Sequence, residues 1–137
     1  MADAIWNNRF ILADPSKNET VLWDNSNPGS SIVLSEVVTN FERIRITWEH
    51  NFNNSTINHT VFEYQIPSNE FFGYGGRTGG SGFTWFIASW TLGSDNKTLS
   101  RTQSKYIPIT SSVGTPTDNV NLYPIKVIGI NRISGGN

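Results

Sequence analysis

The side chains best suited to binding lie in and just after a glycine-rich segment in the second half of the chain. Tyr74 and Arg77 belong to segment 70–82, EFFGYGGRTGGSG, and Trp90 follows near the end of an apolar run. Tyrosine and tryptophan present rigid apolar faces with one polar group, and arginine presents a planar fork of donors. These residue types recognise sugars and polar surfaces. We therefore predict a ligand-binding site at Tyr74, Arg77 and Trp90; the alternative is that Trp90 belongs to the core.

The sequence offers little for catalysis. His50 and His59 are nine residues apart in a polar stretch, a spacing that matches no zinc pattern, and we expect both to be solvated at the edges of a loop over 50–58. Glycoside hydrolysis needs two acids held about 5–10 Å apart, and no pair of carboxylates is identified by its position. The glycines at 73–76 are followed by a strand pattern instead of the helix that a phosphate loop requires. We predict no enzymatic activity, no metal site and no cofactor.

Composition narrows the possible partners. The 137 residues carry a net charge of −1 with only 15% charged residues, so no basic field is available for nucleic acid or an anionic membrane. No segment reaches the length of a membrane span, and the first residues, MADAIWNN, lack the features of a signal peptide. We expect synthesis in a cytoplasm and no membrane insertion. Because the chain has no cysteine, oligomerisation is the expected route to extra stability.

The elements that must position these residues are strands. In segment 42–49 the residues Ile44, Ile46 and Trp48 alternate with Arg43 and Arg45, and a period of two places the apolar set against a core and the arginines in water. A helix over the same residues would scatter the apolar side chains around its surface. The segment therefore predicts a strand, preceded by strands at 20–23 and 31–35.

Similar patterns continue to the end of the chain. Phe62, Tyr64 and Ile66 form the predicted core face of a strand at 59–66, and Gly129 in the last strand indicates a bulge or a close backbone approach. We predict no regular structure for 70–82, a hairpin turn at 93–96, and further strands at 9–13, 83–92 (central), 97–101 (at an edge), 106–109 and 122–133. The whole chain is predicted to be one antiparallel β-sandwich domain, 1–137, jelly-roll-like with about eight short strands, an N-terminal arm at 1–8 and a flexible tail at 134–137.

Two parts of this pattern resemble a module of bacteriophage tail, fibre and baseplate proteins. The first part is Val21-Leu22-Trp23, a Ser/Gly-containing turn, Ile32-Val33-Leu34-Ser35 and Asn40-Phe41-Glu42 leading into an alternating strand; the second is the closing strand at 125–132, IKVIGINR. Together they make the resemblance span about 20–133. The resemblance implies a jelly-roll-like sandwich without catalytic residues, a homo-oligomer with a trimer favoured, and a location in the virion tail.

Three functions remain open at this point. The first is a structural protein of a phage tail or baseplate that contacts other tail proteins and contributes to adsorption. The second is a carbohydrate-binding module for cell-surface saccharides, including those of the host cell wall, which the segment at 70–82 and Trp90 would serve. A small hydrolase is the third, and it would require two carboxylates facing each other across a cleft.

Overall fold

The structure, a computed structural model, describes residues 4–6, 9–11, 18–52, 56–79 and 82–134. Most of this backbone is in strands, which form two antiparallel sheets. In chain order the strands are β1 (Ala4–Trp6), β2 (Arg9–Ile11), β3 (Glu19–Asp24), β4 (Ser31–Val33), β5 (Phe41–Phe52), β6 (Thr56–Gln65), β7 (Glu70–Gly79), β8 (Gly82–Leu92), β9 (Thr98–Ile109), β10 (Thr117–Asp118) and β11 (Leu122–Ser134). The predicted all-β sandwich is confirmed, with more strands than expected, and the jelly-roll connectivity stays a prediction.

Helical structure is minimal in the described part of the chain. A 3₁₀ turn at Val38–Asn40 leads directly into β5. None of the described residues belongs to a helix with the length and apolar character needed to cross a membrane.

The first sheet is organised around its last strand. Its order is β1-β2-β11-β5-β6, and β3 pairs with β11 on the same side as β2. Ile128 of β11 thus lies between Val21 of β3 and Arg45 of β5. The strands predicted near both ends of the chain are therefore hydrogen-bonded neighbours.

The second sheet has the order β10-β9-β8-β7, so the apolar strand β8 is internal as predicted. The predicted strands at 97–101 and 106–109 are one continuous strand, β9. Beyond β8, the other side of β9 pairs with β4 at residues 98–100 and with β10 at residues 105 and 106. The expectation that 97–101 lies at an edge is therefore wrong at residues 98–100, which pair with β4. Residues 101–104, between these two pairings, lie outside both.

Side chains from both sheets meet in one core. The completely buried side chains include Ile46, Trp48, Phe71, Phe86 and Trp90. The indole Nε1–H of Trp48 donates to the Tyr64 hydroxyl at 3.0 Å, and that hydroxyl donates to the carbonyl of Phe72. Burial raises the pKa of Tyr64, so the phenol stays protonated and can keep donating. This relay joins β5 and β6 of the first sheet to β7 of the second.

The main correction concerns 70–82, where we predicted no regular structure. Most of this segment is β7, which pairs with β8 along its length. A Cβ at Gly75 would lie 2.9 Å from the His50 ring, and a Cβ at Gly73 would overlap the Trp48 ring. The glycines therefore let a strand backbone approach two large rings of the opposite sheet. Glycine usually weakens a strand, and the prediction failed because the facing rings are distant in sequence.

Three smaller expectations have mixed outcomes. The hairpin turn at 93–96 is confirmed by the amide of Gly93, which donates to the carbonyl of Thr98 at 2.8 Å. The close approach at Gly129 is also confirmed, since a Cβ there would lie 2.6 Å from the Phe41 ring, whereas the irregularities of β11 occur earlier in the strand. The predicted arm at 1–8 and tail at 134–137 lie largely outside the described residues, although Ala4–Trp6 and Ser134 are in strands.

The outer face of the first sheet carries the predicted arginines in ion pairs. Arg43 binds Glu63 at 2.7 Å, and Arg45 binds Glu19 at 2.8 Å and Glu63 at 3.1 Å. All four side chains are partly exposed. Opposite charges on this face are therefore matched within the chain.

Candidate functional site

The outer face of the second sheet carries an aromatic strip, formed by Phe72, Tyr74, Phe83 and Trp85, and Phe62 of β6 in the first sheet adjoins it. Phe72 and Tyr74 alternate with the buried residues of β7 and are 46% and 44% exposed. The ring centroid of Tyr74 lies 5.5 Å from that of Trp85 and 4.6 Å from that of Phe62, and Phe83 lies 5.5 Å from Trp85. Exposed aromatic rings offer apolar faces on which a sugar ring can stack.

The structure places the three predicted site residues apart. Tyr74 lies in the aromatic strip and faces outwards. Arg77 is partly buried, three residues further along β7, and side-chain alternation directs it to the opposite face. Trp90 is completely buried and takes the core role that was the alternative interpretation. Only Tyr74 of the three therefore combines exposure with a place on a candidate binding surface.

A polar groove adjoins the aromatic strip. This first groove has a volume of about 740 Å³ and is lined by β7, β8, the 101–105 part of β9 and the segment 118–120. Glu70 precedes Phe72 by two residues on β7, and Ser89 lies opposite Phe72 on β8, so groove and strip are continuous. The Ser89 hydroxyl donates to the Glu70 carboxylate and holds it at the groove wall. The groove opens where β9 lies outside its pairings with β4 and β10.

Buried polar atoms without partners are concentrated at this groove. Ser104 Oγ and Asn119 Nδ2, both from lining residues, have no hydrogen-bond partner among the described groups, and neither has Trp90 Nε1, whose residue lies opposite Arg101 of the lining. Buried polar groups are nearly always paired, and each unpaired one costs about 1–3 kcal/mol. The backbones are fixed, because the Asn119 amide donates to the Ser104 carbonyl at 3.0 Å. The other hydroxyl, amide and carboxylate groups of the groove lining, such as those of Thr102, Gln103 and Glu70, fit a ligand rich in hydroxyl groups.

Two carboxylates line the groove, and neither has the surroundings of a catalytic acid. The side chain of Asp118 is 88% exposed and lies 3.6 Å from the Lys105 amine. Glu70 is also exposed and already accepts the hydrogen bond from Ser89. A carboxyl group that must donate a proton near neutral pH is kept protonated by apolar burial. Both groups are therefore placed to accept hydrogen bonds from ligand hydroxyls.

The histidines occupy different environments, and the prediction that both are solvated is wrong for one. Strands β5 and β6 run through most of the predicted loop at 50–58, so His50 continues the inward alternation of β5. It is 3% exposed, and its ring lies 5.6 Å from Phe86. Burial, and secondarily the charge of His59, lowers the pKa of His50, which is neutral at pH 7. His59 remains exposed, 3.8 Å from Glu49.

Neither histidine belongs to a cluster of potential metal ligands among the described residues. In the part of the chain that the structure describes, no three potential His, Asp or Glu ligands are gathered in one place. The side chains of the candidate site offer hydrogen bonds, aromatic stacking and charge.

Sequence reasoning missed the first groove for an identifiable reason. Glu70 and Ser89 become neighbours only when 70–79 is a strand paired with β8, and the segment was interpreted as a loop. The other lining residues come from β9 and the segment 118–120, where polar residues are too common in this chain to stand out. One usable signal was the alternation of Glu70, Phe72 and Tyr74 along the segment.

Comparisons with known proteins add no assignment. No protein-family model and no curated protein matches the chain.

Proposed function

We propose that this protein is a non-enzymatic component of a bacteriophage tail or baseplate, whose outer face on the second sheet binds host-surface saccharides. The observation that carries the proposal is the first groove with its polar lining, continuous with the aromatic strip. Sugars combine hydroxyl groups with apolar ring faces, and this surface combines hydrogen-bonding groups with exposed aromatic rings. Stacking and polar recognition can therefore act on one ligand.

The tail or baseplate setting is supported by how the segments of the resemblance pack. Val127 in the closing segment pairs with Trp23 on one side and Ile46 on the other. The amide of Ser35 donates to the carbonyl of Leu22 at 2.8 Å. Segments far apart in sequence thus form one continuous unit, as expected for a shared module. A jelly-roll-like connectivity, a homotrimer and contacts with other tail proteins are parts of this proposal.

Tryptophan fluorescence tests the saccharide site, because Trp85 lies in contact with Tyr74 in the strip. We expect the emission to change when a neutral cell-wall oligosaccharide from a screened panel is added. The change should be lost in Tyr74→Ala, which removes the central ring, and weakened at least several-fold in Glu70→Gln, which removes a charged acceptor. Val61→Ala is the matched control, since Val61 is exposed on the other sheet.

Two further observations test the proposal, namely the formation of reducing ends and the fluorescence response over the whole panel. No new reducing ends should appear during prolonged incubation with the bound saccharide, and their appearance would replace the proposal with a hydrolase. A flat fluorescence response over the whole panel, with all proteins folded by circular dichroism, would refute saccharide binding.

A second candidate is a carbohydrate-binding module that acts outside a virion, and it is favoured by the fact that one chain supplies the whole first groove. Solution mass separates the two. Light scattering after size exclusion should give a multiple of 15.3 kDa, with a trimer expected, if the chain is a tail or baseplate part. A monomer at tens of micromolar that still binds saccharide would support the second candidate.

A further inference from the structure

A second groove lies next to the first and has a different chemical character. It has a volume of about 540 Å³ and is lined by the turn 26–30 together with Arg101, Val120 and Tyr123. Arg101 and Val120 line both grooves, so the two cavities meet at these residues. Among the described residues that line the second groove, none is a carboxylate and Arg101 is the sole charged side chain.

The charge of Arg101 is not matched within the described part of the chain. Arg43, Arg45 and Arg132 each bind a carboxylate at 2.7–2.8 Å. Arg101 is partly buried and forms no ion pair or side-chain hydrogen bond with any described residue. Its backbone is held by the amide, which donates to the carbonyl of Ser30 at 2.9 Å. The strand thus fixes the base of a side chain whose five donors are available.

Partly buried guanidinium groups bind carboxylates and phosphates through two parallel hydrogen bonds, and such charge-assisted bonds are the stronger kind. The surroundings of Arg101 in the second groove suit an anion, because the hydroxyls of Ser26 and Ser30 add donors and no carboxylate competes. The first groove has the opposite character, since Glu70 and Asp118 line it. The anionic part of a ligand would therefore bind in the second groove, and its neutral part would bind in the first.

We propose that Arg101 binds an anionic group of the ligand, a carboxylate or a phosphate carried by the saccharide, in the second groove. The neutral sugar ring lies in the first groove against the aromatic strip. This inference rests on the proposed saccharide binding for its second half, whereas the anion site at Arg101 stands on its own geometry. The ligand class is accordingly an acidic saccharide.

Matched ligand pairs test the proposal by NMR titration of backbone amides and the Arg101 side-chain Nε–H. Trigalacturonate and its methyl ester differ by the carboxylate charge, and glucose 6-phosphate and glucose differ by the phosphate. The charged member of at least one pair should bind about ten-fold or more tightly, and the pair that shows the difference identifies the anion source. Raising the salt concentration should weaken only the charged member.

Variants locate the effect. Arg101→Gln should abolish the difference within the pair, and Arg101→Lys, which keeps the charge and the apolar stem, should retain part of it. Lys97→Gln makes the same change in net charge and should leave the difference intact, because Lys97 lines neither groove. Thermal unfolding of each variant establishes that it is folded.

The possible outcomes distinguish the anion site at Arg101 from the proposed saccharide site. Equal affinity of charged and neutral ligands, no binding of either charged ligand, or a difference that persists in Arg101→Gln overturns the role of Arg101. If neutral ligands still bind and Tyr74→Ala abolishes that binding, saccharide recognition stands without the anion site. If charged ligands bind through Arg101 but Tyr74→Ala and Glu70→Gln have no effect, the anion site stands and the saccharide site fails.

Discussion

The two sheets differ in whether their polar and charged side chains have partners within the chain. On the first sheet, Arg43 and Arg45 are matched by Glu19 and Glu63 through hydrogen bonds of 2.7–3.1 Å. On the second sheet, the rings of Phe72 and Tyr74 are exposed, the groove beside them holds unpaired polar atoms, and Arg101 at its end has no carboxylate partner among the described residues. The arginines on the first sheet therefore have carboxylate partners within the chain, whereas Arg101 on the second sheet has none among the described residues.

We expect this difference to separate the residues that matter for stability from those that matter for the proposed binding. A folded chain gains nothing from an unpaired buried donor, which costs about 1–3 kcal/mol. An exposed aromatic cluster adds a tendency to associate. A ligand that covers the rings would offset the second of these costs. The second face is therefore where variants should change binding more than stability, and the rest of the sandwich is where they should do the reverse.

The largest expected loss of stability comes from placing a side chain between β7 and the core. In Gly73→Val the new side chain overlaps the Trp48 ring, so β7 must move away from the core. We expect a loss of about 3 kcal/mol in the free energy of unfolding, the upper range for overpacking, and loss of saccharide binding with it. Urea unfolding measures the first effect. Thr78→Val is the control, because Thr78 is exposed on the same strand; equal destabilisation of the two variants would contradict this account of β7.

The glycines of β7 also show how far the sequence alone can be interpreted. Where period-two alternation is local, as at Ile44, Ile46 and Trp48, it predicted both the strand and its buried face. Where a strand depends on what faces it, as at Gly73 against Trp48, local composition indicated a loop. The candidate site followed the same rule. Tyr74 was identified by its residue type, but the first groove needs the pairing of β7 with β8.

The next largest expected loss of stability distinguishes Arg132 from Arg101. Arg132 forms two hydrogen bonds of 2.7 Å with Glu36 and lies 4.7 Å from the centre of the Phe41 ring. Arg132→Gln should lower the free energy of unfolding by roughly 1–2 kcal/mol, between the values for exposed and buried pairs. Arg101→Gln should change it by less than about 0.5 kcal/mol, because no described carboxylate is left unpaired. Comparable losses in the two variants would contradict the contrast between a structural and a binding arginine.

The pH dependence of the Arg132 contribution follows from its partner. The hydrogen bonds from Arg132, ahead of those from Asn40, lower the pKa of Glu36 against the opposing effect of burial. A lowered carboxyl pKa stabilises the fold above the unfolded value of about 4.3, and this contribution disappears as the pH falls below it. The difference in unfolding temperature between the native chain and Arg132→Gln should therefore shrink in acid.

A smaller effect distinguishes the buried histidine from the exposed one. Burial lowers the pKa of His50 in the folded state, so the unfolded chain binds its proton more readily. Stability should be complete above about pH 6.5 and should fall as the pH decreases from there through the lowered pKa, a range above that of the carboxyl groups. In His50→Phe the decline between about pH 6.5 and 5 should be reduced, whereas His59→Asn should retain it. A decline unchanged by His50→Phe would mean that another group titrates in this range.

The smallest expected effect lies on the first sheet, although its ion pairs are the most numerous. Arg43 and Glu63 form a diagonal pair across β5 and β6 at 2.7 Å, but their side chains are 33% and 36% exposed, so water already solvates both charges. A double-mutant cycle with Arg43→Gln and Glu63→Gln should give a coupling of about 0.5 kcal/mol, and salt should reduce it further. Glu63 also binds Arg45 at 3.1 Å, which is why the cycle, and not the single variants, isolates the pair. A coupling of about 2 kcal/mol or more would show that the matched face stabilises the fold strongly, and stability could then no longer be assigned mainly to the shared core.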